Sequence, residues 1–177
     1  MSGGWHGGIE RFFAQEAERG GWRFFVLWLA ATNLGFFPGM ELGQALAAGF
    51  AEPLTSGIVS CAFALPVGLL QAWVLQRHWT RVSSWVIATT LGWLLGSVPG
   101  SALLRTLTPG VSEGDALWIV GLGFLSGGLV GLGQTPLVRR RRPELAGSWW
   151  LISAVAWALL FPGAISGLAL TLGMRRA

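Results

Sequence analysis

Residues 58–74 read IVSCAFALPVGLLQAWV, seventeen consecutive positions without a charge. A helix of roughly 20 apolar residues crosses the hydrocarbon layer of a membrane. Inside lipid every backbone polar group must find its partner within the segment, which selects a helix. A β-barrel would alternate apolar and polar residues, and that alternation is absent here. Similar runs lie at Gly21–Phe37 and Trp149–Leu172. Five apolar segments are expected, at about 22–46, 55–76, 82–106, 116–138 and 148–173. The fold class read from them is all-α, a polytopic membrane helix bundle of about five helices.

Composition agrees. Of the 177 residues 53% are hydrophobic and 11% charged, whereas soluble domains carry about 25% charged residues. The net charge of +4 comes from arginine alone, with no lysine. The arginines stand at the ends of apolar runs, so topology explains them better than nucleic acid. Cys61 has no partner for an internal disulfide. No early basic region with a short apolar core marks a cleavable signal.

Residues 1–20 form a separate unit before the membrane domain at 21–177. Ile9, Phe12, Phe13 and Ala17 share one helical face, the spacing of an amphipathic helix. Arg11, Arg19, Arg23, Arg77, Arg81 and Arg139–Arg142 fall on one side of a five-helix topology. Glu41, Glu52, Glu113 and Asp115 fall on the other, with Arg105. The positive-inside rule then puts the N-terminus in the cytoplasm. Five crossings leave Arg175 and Arg176 on the wrong side; a re-entrant last segment is the competing arrangement.

The chain repeats itself. Pro38-Gly39, Pro99-Gly100 and Pro162-Gly163 each follow an apolar stretch, and each proline has a glycine eleven residues on, at Gly49, Gly110 and Gly173. Gly68-Leu69-Leu70-Gln71 returns as Gly131-Leu132-Gly133-Gln134, 63 residues later. A basic loop and a tryptophan follow each copy, Trp85 or Trp149, then Trp93 or Trp157 eight residues on. Thr32-Asn33-Leu34-Gly35-Phe36 echoes Thr89-Thr90-Leu91-Gly92-Trp93. A two-helix unit keeps its orientation, so the expected repeats are parallel.

In these motifs the chain resembles small, largely uncharacterised bacterial membrane proteins. They carry Gly-Leu-x-Gln, an Arg-containing loop, a Trp, and a Thr/Ala-x-x-Gly-Trp helix. The resemblance covers about residues 56–160. It implies a multi-helix protein of the bacterial inner membrane and no settled activity. Pro136 and Ala156 depart from the pattern.

Three groups of residues are candidates for function. Ser60, Ala64 and Gly68, Gly92 and Gly96, and Gly123, Gly127 and Gly131 form small-residue ridges at spacings of four. Such ridges let helix backbones approach, within one chain or against a partner helix or flat ligand. Asn33, Gln71, Thr90 and Gln134 are polar residues at membrane depth. They bond to one another or line a solute path. Trp28, Trp73, Trp93 and Trp157 lie deep. They pack the core or stack on a bound lipid, carotenoid or other hydrophobic pigment. Trp22, Trp79, Trp85, Trp149 and Trp150 read as an aromatic belt at the arginine end, with Trp118 at the other.

Arg139, Arg140, Arg141 and Arg142 are suited to anionic lipid headgroups. No ionisable residue stands at a membrane midplane, which counts against ion coupling. His6 and His78 form no metal constellation, and no catalytic motif is present. The expected role is therefore non-catalytic. It is an accessory or scaffold subunit among membrane lipids and other membrane subunits, or a module that binds or transports a small solute or hydrophobic ligand.

Overall fold

The computed structural model describes residues 6–79, 82–112, 115–159 and 165–170, with side chains from residue 23 onward. The amphipathic face at residues 9–17, Trp22, Arg81, Glu113, Pro162-Gly163, Gly173 and the last two arginines lie outside what it describes. The described secondary structure is helical throughout. α1 runs His6–Ala47, α2 Leu54–Leu75, α3 Ser83–Leu107 and α4 Ala116–Arg141; α5 is the single turn Pro143–Ala146 and α6 is Trp149–Ala158. Residues 165–170 are helical again. Four stretches are long and apolar enough to cross a membrane: Arg23–Ala47, Leu54–Leu75, Ser83–Leu107 and Ala116–Arg141.

Their outward faces fit lipid. Leu34, Phe37, Ile87, Leu95 and Leu132 are all exposed, Leu34 by 66%. A water-soluble surface rarely presents so continuous an apolar coat. The 42 residues of α1 make one unbroken helix. Residues 6–20 therefore continue into the first spanning helix rather than forming a separate one.

The first two Pro-Gly pairs do not end their helices. Pro38 lies inside α1 and Pro99 inside α3. The stops come later, after Ala47 and Leu107, where Gly49 and Gly110 have φ of 91° and 92°. Only glycine takes that left-handed conformation without strain. The eleven-residue interval thus spaces a mid-helix proline from the turn that closes the helix.

In the last segment α6 ends at Ala158, and residues 165–170 are helical again. Trp149, at the start of α6, and Leu170 share one buried cluster with Phe24, Leu75, Trp85 and Val138. That cluster sits at the arginine end. Residues 165–170 thus lie back at the end of the bundle where α6 begins.

Neighbours in the bundle follow chain order: α1 on α2, α2 on α3, α3 on α4, and α4 on α6. Segment 165–170 closes the circle onto α1 through Ser166 and Gly167. Glycines set the close approaches. A Cβ on Gly35 would lie 2.6 Å from the Val67 Cα, and one on Gly92 equally close to the Val130 Cα. α1, α3 and α6 instead meet through large aromatic rings. Trp28 packs edge-on against Trp85 at 5.6 Å between centroids, and Trp85 against Trp149 at 6.0 Å. Eight residues further along each helix, Phe36, Trp93 and Trp157 form a second layer with Phe63 of α2.

Candidate functional site: a polar ring and the cavity beyond it

Between the two aromatic layers lies a ring of buried hydrogen bonds. The Trp85 indole Nε1 donates to Gln71 Oε1, and Trp149 Nε1 to Gln134 Oε1, each at 3.0 Å. The other end of each amide continues the chain of bonds. Gln71 Nε2 donates to Thr32 Oγ1 at 3.0 Å, and Gln134 Nε2 to Thr89 Oγ1 at 2.9 Å. The threonine hydroxyls then donate to carbonyls one turn back, Thr32 to Trp28 and Thr89 to Trp85. The direction is forced. An indole N–H only donates, so each glutamine must offer it oxygen and turn its NH2 to the hydroxyl.

The same pattern begins a third time. Trp28 Nε1 donates to Ser166 Oγ at 3.0 Å, so Ser166 stands on segment 165–170 where the glutamines stand on α2 and α4. Trp28→Phe removes this bond while keeping most of the apolar ring. Amide exchange in 165–170 is expected to rise about tenfold, for a bond worth about 1.4 kcal/mol, with α2–α4 unchanged. Equal protection in both proteins would show that the segment is held by other contacts.

The ring is closed. Among Gln71, Gln134, Trp28, Trp85, Trp149 and Ser153 only about 10 Å³ is empty, room for one water at most. Asn33 takes no part. It is exposed, and its Nδ2 donates to Leu29 O. Thr90 is half-buried with an unpartnered hydroxyl. The residues one position earlier, Thr32 and Thr89, are the ones that face inward. Their signal was the Trp-x-x-x-Thr spacing, which puts indole and hydroxyl on one helical face.

The ridge residues sit at helix contacts. Cβ atoms on Gly123 and Gly127 would lie 2.7 Å from the carbonyls of Trp157 and Ser153, and one on Gly131 2.6 Å from the Trp150 Cα. Gly96 faces Ser126, Gly68 faces Val86, and Ala64 is wholly buried. Ser60 Oγ donates to Ser97 Oγ at 2.6 Å. Of the deep tryptophans, Trp28, Trp93 and Trp157 are core residues; Trp73 is 46% exposed, with the Arg77 guanidinium over its ring. Trp85, Trp149 and Trp118, read as belt residues, are buried. Arg139, Arg140 and Arg141 are exposed, whereas Arg142 is buried and pairs with Glu144 at 3.3 Å.

Beyond the second aromatic layer the bundle opens into a cavity of about 440 Å³. Its position follows from the short α6. α1 and α3 continue well past Phe36 and Trp93, but α6 ends one residue after Trp157. The rings of Phe36, Phe63, Trp93 and Trp157 make the floor. Met40, Val59, Ile119 and Leu122 supply apolar wall, Ser60, Ser97 and Ser101 a hydroxyl stripe, and Gln44, Glu52 and Trp118 the far end. The Glu52 carboxylate accepts from Ser56 Oγ. Trp93 Nε1 is buried and has no acceptor. Ser97 and Ser101 escaped the sequence reading, since serines within an apolar helix carry no periodic signal. No group of three metal-ligating side chains occurs among the described residues. No protein-family model, curated protein or solved structure matches this chain.

Proposed function

We propose that this is a non-catalytic membrane protein that holds a hydrophobic ligand in the cavity above Trp93 and Trp157. The observation that carries the reading is the cavity itself. Its volume of about 440 Å³ falls within the roughly 300–1,000 Å³ of small-molecule sites, and such sites are mostly apolar with a few placed polar groups. The closed ring below it favours holding over passage. The polar groups of the ring and of the cavity's deep end are amide, hydroxyl and indole, which bind and orient but are poor acids and bases at neutral pH; the Glu52 carboxylate stands apart at the far end. The arginine-bearing end is proposed to face the cytoplasm of a bacterial cell.

The test is native mass spectrometry of the chain released from lipid nanodiscs. Wild type is expected to carry a bound species that Met40→Trp, which puts an indole into the cavity from its wall, displaces. Wild type free of any adduct under the gentlest release would end this reading.

A second reading, an accessory subunit docked on a partner helix, rests on a different feature. A groove of about 350 Å³ runs along the outer face between α3 and α4. Gly100 and Gly128 lie in it between Leu95, Leu103, Phe124 and Leu132. A transmembrane helix with small residues could seat there. Stoichiometric recovery of a partner chain, lost in Gly128→Leu, would favour it.

A further inference from the structure

We infer that the cavity selects a neutral apolar molecule bearing a hydroxyl group, with that hydroxyl placed between Ser60, Ser97 and Trp93. The inference rests on the binding reading above and specifies its ligand.

The chemistry of the walls narrows the class. Among the described residues no basic side chain lines the cavity, and the one ionisable lining residue is Glu52 at the far end. An anionic head would meet a carboxylate and find no cation, and burying an unpaired charge is expensive. The deep end is different. Ser60 donates its proton to Ser97 at 2.6 Å, so the Ser60 oxygen keeps its lone pairs. Ser97 donates to the Leu94 carbonyl only at a long 3.4 Å. Trp93, in the floor beside them, holds a buried N–H with no acceptor. Together these groups lack one acceptor and can serve one donor. A hydroxyl supplies both, whereas a pure hydrocarbon supplies neither. The rest of the molecule then lies along Met40, Val59, Ile119 and Leu122.

The probes are farnesol, farnesyl phosphate and farnesane, which share a branched apolar body and differ in the head. Each is added at equal mole fraction to nanodiscs holding the full chain, and the thermal midpoint is read against Met40→Trp in the same lipid. That comparison cancels effects of the probe on the bilayer. Farnesol is expected to raise the wild-type midpoint and to bind about tenfold more tightly than farnesane, the factor of one net hydrogen bond. Farnesyl phosphate is expected to bind more weakly than farnesol. Ser97→Ala and Ser60→Ala should remove the tenfold preference and leave farnesane unchanged. A serine variant that fails to fold is replaced by Trp93→Phe, which removes the N–H and keeps most of the ring.

Equal binding of farnesol and farnesane would overturn the hydroxyl assignment while leaving the cavity as a binding site. Tighter binding of the phosphate would overturn neutrality. Binding of no probe, with no adduct in the native mass spectrum, would instead overturn the binding reading itself.

Discussion

Gly96→Leu is expected to abolish the folded protein, whereas Gly100→Ala, one turn along the same ridge, should leave stability unchanged or slightly higher. At Gly96 an added Cβ would fall 2.4 Å from the Ser126 Cα and 2.3 Å from its Oγ. The obstacle is backbone, so no rotamer change relieves it; α3 and α4 must separate along their length. Overpacking of an ordinary core costs about 1–3 kcal/mol. Here the loss should exceed about 3 kcal/mol, because the contacts that hold transmembrane helices together decay steeply with separation. At Gly100 the nearest atoms are leucine side-chain carbons at 3.6–3.9 Å. A methyl group fits there, and alanine has the better helix propensity. The measurement is the unfolding midpoint in mild detergent, with monodispersity as the test of folding. A well-folded Gly96→Leu at the wild-type midpoint would mean that α3 and α4 do not pack at this distance.

Gln134→Leu should lower stability by about 1–2 kcal/mol and shift tryptophan emission. The substitution leaves the Trp149 N–H without its acceptor and takes the amide donor from Thr89. An orphaned buried donor costs about 1–3 kcal/mol in soluble proteins. Interhelical bonds in membranes average nearer 0.6 kcal/mol, with a maximum of about 1.7, so the combined loss of two sits between these ranges. Asn33→Leu is the control. Its amide bonds only to its own helix and faces outward, so leucine there should be neutral or stabilising. Equal effects of the two substitutions would show that the ring bonds contribute nothing beyond apolar packing.

Much of the bundle was legible from residue pattern. The four spanning stretches lie within a few residues of their hydropathic segments, because chain length and the need to satisfy the backbone in lipid are local constraints. The glycine ridges were legible too, as spacings of four. Their partners were not, since a ridge does not say what it faces. The polar ring was half legible. Gln71 and Gln134 stood out as rare amides at membrane depth, but Asn33 and Thr90 drew attention away from Thr32 and Thr89. A shift of one residue turns a side chain about 100° around a helix, and only the neighbouring helices define which direction is inward. Trp85 and Trp149 fit an aromatic belt by position along the helix and the core by rotation about it.

The opening stretch at 58–74 shows the division of labour. Composition alone determined that it forms a helix, that the helix is long enough to span, and that Gly68 and Gln71 recur 63 residues later. The tertiary structure decided that Gln71 bridges α1 and α3, that Phe63 joins the floor of a cavity, and that Ser60 offers it a hydroxyl. It also decided that residues 165–170 lie against α1 and the start of α6. Hydropathy measures the preference of a segment for lipid, and a re-entrant hairpin buried among helices satisfies that preference as well as a crossing does. The choice between them rests on contacts far apart in sequence, such as Trp28 with Ser166. The cavity that the proposed ligand would fill lies beyond Trp157, where α6 ends.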